Sequence, residues 1–116
     1  MIDIKFHQDQ EGYLRATTEP QYSLLSQYFE SEIQGIAAIC QALLATVKEI
    51  EIGDRPSVEG IGNGYGLKLT SQKATIWSEF TETILRLELS LGDFKQALED
   101  CLIFLQSLEL THKDEI

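Results

Sequence analysis

Cations are scarce in this chain. Lysine and arginine supply 9 of the 116 residues against 19 aspartates and glutamates, which leaves a formal net charge of -10. That excess passes the magnitude of about 2–8 that keeps a small domain soluble. It repels phosphate backbones and anionic lipid, so direct contact with DNA, RNA or a membrane surface is disfavoured and a basic partner protein is favoured. Cysteine is equally sparse, with only Cys40 and Cys101. Two thiols make no disulfide framework, and both fall on apolar stripes of expected helices, where a thiol behaves as a small hydrophobe in a reducing cytoplasm. The two histidines, His7 and His112, stand far apart in the first strand and the terminal tail, and neither has a Cys or a second His at ligand spacing, so no zinc site is expected. Apolar runs such as Ile36 to Cys40 and Cys101 to Leu105 fall far short of the roughly 20 residues that span a bilayer. The N-terminus alternates apolar and polar residues without a basic n-region, which argues against a secretory signal.

What is present is an ordinary globular composition, 43% hydrophobic and 24% charged, of a length that suits one domain. Residues 2–7 and 12–16 read as two strands around a polar tip, with Gly12 free to take a positive φ. Thr17-Thr18-Glu19-Pro20 offers a hydroxyl cap and a proline preset for a first helical turn, and Tyr22, Leu25, Tyr28 and Phe29 recur at helical spacing. Ser31 with Gln34 forms a capping-box pattern for a second helix running to about Lys48, its stripe Ile33, Ile36, Ala37, Cys40, Leu43, Leu44 and Val47. Gly53-Asp54-Arg55-Pro56 then breaks the pattern. Four strands are expected at Val58 to Ile61, Tyr65 to Thr70, Ala74 to Phe80 and Thr83 to Leu89. Their connections are too short for parallel crossovers, so the neighbours are antiparallel. Ser90 with Asp93 caps a last helix with the stripe Phe94, Ala97, Leu98, Cys101, Leu102, Leu105 and Leu108, and the polar residues after Leu110 suggest a frayed end. The expectation is a single two-layer α+β domain over residues 1–116, ordered ββ-αα-ββββ-α, with helices on one face of an antiparallel sheet.

No motif carries catalytic chemistry. Gly60-Ile61-Gly62-Asn63-Gly64-Tyr65-Gly66 invites a phosphate-loop reading, yet it fits neither G-x-G-x-x-G opening a helix nor a Walker loop, and a strand follows. A hairpin with Asn63-Gly64 in a type I′ turn accounts for it, the other glycines allowing bulges or close packing. Paired acids such as Glu99-Asp100, Glu30 with Glu32, and Asp114-Glu115 lack a calcium-loop pattern and read as solvated faces. No enzyme, cofactor or metal is expected. The single tryptophan is more telling. If Ala74, Ile76, Ser78 and Phe80 face the helices, Trp77 points to the uncovered face of the sheet beside Glu79, Glu82 and Glu88, as an aromatic interface anchor would. The alternative places Trp77 beneath the N-terminal hairpin or inverts the phase. Glu30 and Glu32 at the helix junction, with Asp54 in the following loop, offer a second acidic surface.

Three segments, Ser26-Gln27-Tyr28-Phe29-Glu30-Ser31-Glu32-Ile33, Glu59-Gly60-Ile61-Gly62-Asn63-Gly64-Tyr65-Gly66-Leu67 and Leu89-Ser90-Leu91-Gly92-Asp93-Phe94 with Ala97-Leu98-Glu99-Asp100, give the chain its likeness to a known family. From Gly12 onward it resembles the YacL-like family of small bacterial proteins, which implies no catalytic residue to carry across. In size, acidity and organisation it is also similar to immunity proteins of bacterial toxin systems, including contact-dependent growth inhibition. That likeness implies a cytoplasmic protein binding a basic toxin, often a nuclease, through an acidic face. The alternative is a housekeeping protein acting through protein contacts, as a homodimer through its exposed sheet.

Overall fold

The computed structural model describes residues 2–80 and 85–114, with side chains through Leu110. Strands β1 (Ile4–Gln8) and β2 (Leu14–Thr18) form an antiparallel hairpin, Phe6 opposite Ala16, and Gly12 takes a φ of 89° at its tip. Four further strands, β3 (Ser57–Ile61), β4 (Tyr65–Thr70), β5 (Lys73–Ser78) and β6 (Arg86–Ser90), form a second antiparallel sheet in sequence order. Helices α1 (Ser23–Tyr28), α2 (Ala37–Glu51) and α3 (Leu91–Asp114) pack on one face of it, and α1 also meets β2, so the small hairpin lies over the helical layer. This is the α+β order expected from the sequence. The expected turn at Thr81-Glu82 and the start of the last strand at Thr83 lie outside the described residues.

The core follows from the two apolar periodicities. Tyr65, Leu67 and Leu69 on β4, with Ala74 and Ile76 on β5, point inward at a period of two. Leu25, Phe29, Ile33, Cys40, Leu44, Val47, Ile50, Phe94, Leu98 and Cys101 meet them from the helices at helical spacing. Burying each such side chain stabilises the fold by about 1.5–3 kcal/mol. Phe6 ties the hairpin in, edge-on to Phe29 at 5.2 Å and stacked near Phe104 at 6.2 Å between ring centroids. The Ser90 hydroxyl accepts the Asp93 N–H at 3.0 Å, as the capping pattern required.

Four local expectations need correction. Thr17 and Thr18 cap nothing, because β2 continues through Thr18 and the helical segment opens with a 3-10 turn at Pro20–Tyr22 behind Glu19. The second helix does not begin at Ser31. The chain instead leaves α1 through a wider π-turn, Phe29–Ile33, closed by the Gln34 N–H on the Phe29 carbonyl, and then reverses at Gln34 (φ 56°) and Gly35 (φ 77°). Burial explains it: Phe29 and Ile33 are both wholly enclosed, and the widened turn sends Glu30 and Glu32 to either side. Phe80 is exposed because β5 ends at Ser78, so the strand alternation stops before it. Finally, α3 continues past Leu110 to Asp114.

Candidate functional site

The π-turn is where the acids of the helix junction act. Its first acid, Glu30, accepts the Ala16 N–H of β2 at 2.9 Å and lies 3.6 Å from the Arg15 guanidinium. Arg15 also donates to Asp9 at 2.9 Å. The Asp9 carboxyl, gripped by the Tyr13 and Glu11 N–H groups and by Arg15, is held below the usual carboxylate range. Its second acid, Glu32, reaches the glycine loop between β3 and β4, where the N–H groups of Asn63, Gly64 and Tyr65 all donate to its carboxylate, at 3.0, 3.4 and 3.4 Å. The Asn63 side-chain amide donates to the Ser31 carbonyl at 3.3 Å and fixes the same junction.

This clasp corrects the expected type I′ turn. A two-residue hairpin would close with the Tyr65 N–H on the Gly62 carbonyl and with positive φ at Asn63 and Gly64. Only the reverse bond, Gly62 N–H to Tyr65 carbonyl at 3.0 Å, is made; Tyr65 donates to Glu32, and neither Asn63 nor Gly64 has a positive φ. The loop is a concavity of successive N–H groups, an anion-binding nest, and its anion is the chain's own carboxylate. The glycines are needed for close approach: a Cβ at Gly62 would overlap Glu32, and one at Gly64 would overlap the Phe80 ring. Glu32 in turn adds to burial in pushing up the hydroxyl pKa values of Tyr28 and Tyr65.

Trp77 sits on the uncovered face of the sheet, as expected, in one row with Ile61, Gly66 and Arg86. It is half-buried, because its indole lies across Gly66 where any Cβ would collide with it, and its Nε1–H donates to Glu79 at 2.6 Å. The face is not acidic. Glu59, Glu79 and Glu88 share it with Lys68, Lys73 and Arg86, and Lys73 pairs with Glu88 at 3.2 Å. Of the residues singled out in the sequence, Trp77, Glu79 and Glu88 therefore come together; Glu30 and Glu32 serve internal contacts elsewhere; Asp54 is exposed in the turn after α2; and Glu82 lies outside the described residues.

Sequence reasoning missed an open groove of about 320 Å³ between α2 and β3. Tyr28, Tyr65 and Leu67 line its floor, Ile39 and Leu43 one wall, Val58 and Gly60 the other, and the Glu32–Asn63 clasp closes one end. Ile36 and Ile61 stand exposed at 46% and 64%. The signal was legible: Ile39 and Leu43 on α2, with Ile36 just before it, widen the apolar stripe of Cys40, Leu44 and Val47 beyond what one buried face requires. Cys40 and Cys101 are free, wholly buried and adjacent between α2 and α3; the Cys40 thiol donates to the Leu98 carbonyl at 3.1 Å, and the neighbouring Cys40 thiol, with burial, pushes the Cys101 thiol upward. Among the described residues no cluster of three metal-ligating side chains occurs, and no single helix is long and apolar enough to cross a membrane. No family model matches the chain, and no curated protein or solved structure shows significant similarity to it.

Proposed function

We propose that this protein is a binding protein of the immunity type, which acts in the cytoplasm by covering the active or substrate surface of a basic toxin. The observation that carries the reading is the apolar groove between α2 and β3, open on a body whose net charge is -10. Apolar contact of this kind slows dissociation, while opposite net charge speeds encounter. Four of the nine cations, Arg15, Arg55, Lys73 and Lys95, are held in surface ion pairs with carboxylates, which leaves the net charge of -10 for a partner to meet. The internal use of Glu30 and Glu32 moves the recognition surface from the helix junction to the groove beside it.

A housekeeping protein of the YacL-like kind, paired through its sheet, is the competing reading. Two copies of charge -10 repel one another, which weighs against self-association. The test is growth protection and calorimetry with the product of the gene immediately upstream. Restored growth together with a tight, salt-sensitive complex is the expected result. An upstream product that is not toxic, or a toxin that this chain neither binds nor neutralises, refutes the immunity reading.

A further inference from the structure

The four-stranded sheet ends at β3, and that edge has a defined chemistry. Bonds and gaps alternate along an antiparallel ladder. Because Gly62 is bonded to Tyr65, the β3–β4 bonds fall on Gly60 and Val58, and the N–H and C=O groups of Ser57, Glu59 and Ile61 point away from the sheet. All of β3 is exposed except the half-buried Val58, and among the described residues only β4 pairs with it, so its other edge is open. The groove lies directly beneath it. Val58 and Gly60 present the strand's inner face to the groove, and a Cβ at Gly60 would meet no atom within 4 Å.

We infer that the β3 edge accepts an extended, basic segment of a partner protein as a fifth strand. Backbone groups of that segment would pair with Ser57, Glu59 and Ile61. Its inward side chains would enter the groove against Ile39 and Leu43, and its outward side chains would flank Glu59. Charge selects the occupant. Glu59 forms no ion pair among the described residues, although Lys68 stands opposite it on β4. In the self-pairing register that uses the whole strand, Glu59 would face Glu59 of a second copy, and like charges directly opposite are destabilising. A lysine or arginine there is favoured instead. The inference deepens the proposed function, since it names the chemistry of the partner segment and its place.

The probe is the peptide acetyl-Lys-Val-Lys-Val-Lys-Val-Lys-amide, set against a block-scrambled peptide of the same composition and against its Glu-Val counterpart. The alternating basic peptide is expected to bind saturably and to slow hydrogen exchange at the Ser57, Glu59 and Ile61 amides about tenfold or more. Glu59→Pro removes the outward-pointing N–H together with the carboxylate, touches no β3–β4 bond, and should weaken binding about tenfold while leaving the melting temperature nearly unchanged; Glu59→Lys, which keeps the N–H and reverses the charge, should weaken it with the β3–β4 ladder untouched. Equal binding of the scrambled or acidic peptide, unchanged exchange at those amides, or no saturable binding overturns the inference. A toxin neutralised equally well by both Glu59 variants overturns the edge while the immunity reading stands. Peptide binding without any toxin neutralisation leaves the edge and removes the immunity reading.

Discussion

Removing the Glu32 carboxylate tests the clasp directly, because one side chain satisfies three consecutive backbone donors of the β3–β4 loop. A hydrogen bond to a charged group contributes about 1.5–3 kcal/mol net. The Asn63 bond, at 3.0 Å, has good length, whereas those to Gly64 and Tyr65, at 3.4 Å, lie beyond the usual range and add a fraction each. Glu32 is half-buried, so solvent screens part of the gain. Glu32→Ala should therefore cost about 2–3 kcal/mol. Glu32→Gln, which sets an NH2 donor against the loop's own donors, should cost about 1.5–2 kcal/mol. Unfolding entropy near 2.1 cal/mol/K per residue converts the alanine figure to a fall in Tm of about 8–12 °C for 116 residues. Calorimetry measures that fall, and hydrogen exchange should show the Asn63, Gly64 and Tyr65 amides opening ahead of the rest of the sheet. A fall in Tm below about 2 °C with unchanged exchange at Asn63 would refute the idea that the carboxylate holds the loop.

Other consequences are open to simple measurements. Gly66→Ala must displace the Trp77 indole, so a red-shifted tryptophan emission and a loss of about 1–3 kcal/mol are expected in denaturant titrations; unchanged emission would contradict the stacking. The Cys40 and Cys101 thiols should react with a thiol reagent only as fast as the protein opens globally, and rapid labelling of the native state would show that α2 and α3 do not enclose them. Because the folded state depresses the Asp9 pKa, its contribution to stability is complete above the ordinary carboxylate range and is lost as pH falls through the depressed value. Asp9→Asn should flatten that acid limb of the stability profile, and an unaltered pH dependence would remove Asp9 from it.

The α3 stripe from Phe94 to Leu105, the alternation of β4 and β6 and the Ser90 cap were all legible because each depends on neighbours within a turn of helix or along one strand. Expectations failed where a distant group supplied what the local pattern seemed to demand. Ser31 and Gln34 read as a capping box, but the burial of Phe29 and Ile33 drew the chain through a π-turn. Asn63-Gly64 read as a type I′ turn, but a carboxylate more than thirty residues away took the bond that would have required it.

By itself, then, the sequence determined the α+β order, the antiparallel pairing, the apolar stripes and the surplus of negative charge, since periodicity, short connections and composition are local or additive properties. Tertiary structure alone decided where that charge is spent. It turned Glu30 and Glu32 inward as clasps, balanced the Trp77 face with three cations, and left the groove and the β3 edge open. The physical reason is that hydrogen bonds and ion pairs depend on which residues the packing of distant elements brings within about 3 Å, and no spacing along the chain encodes that distance.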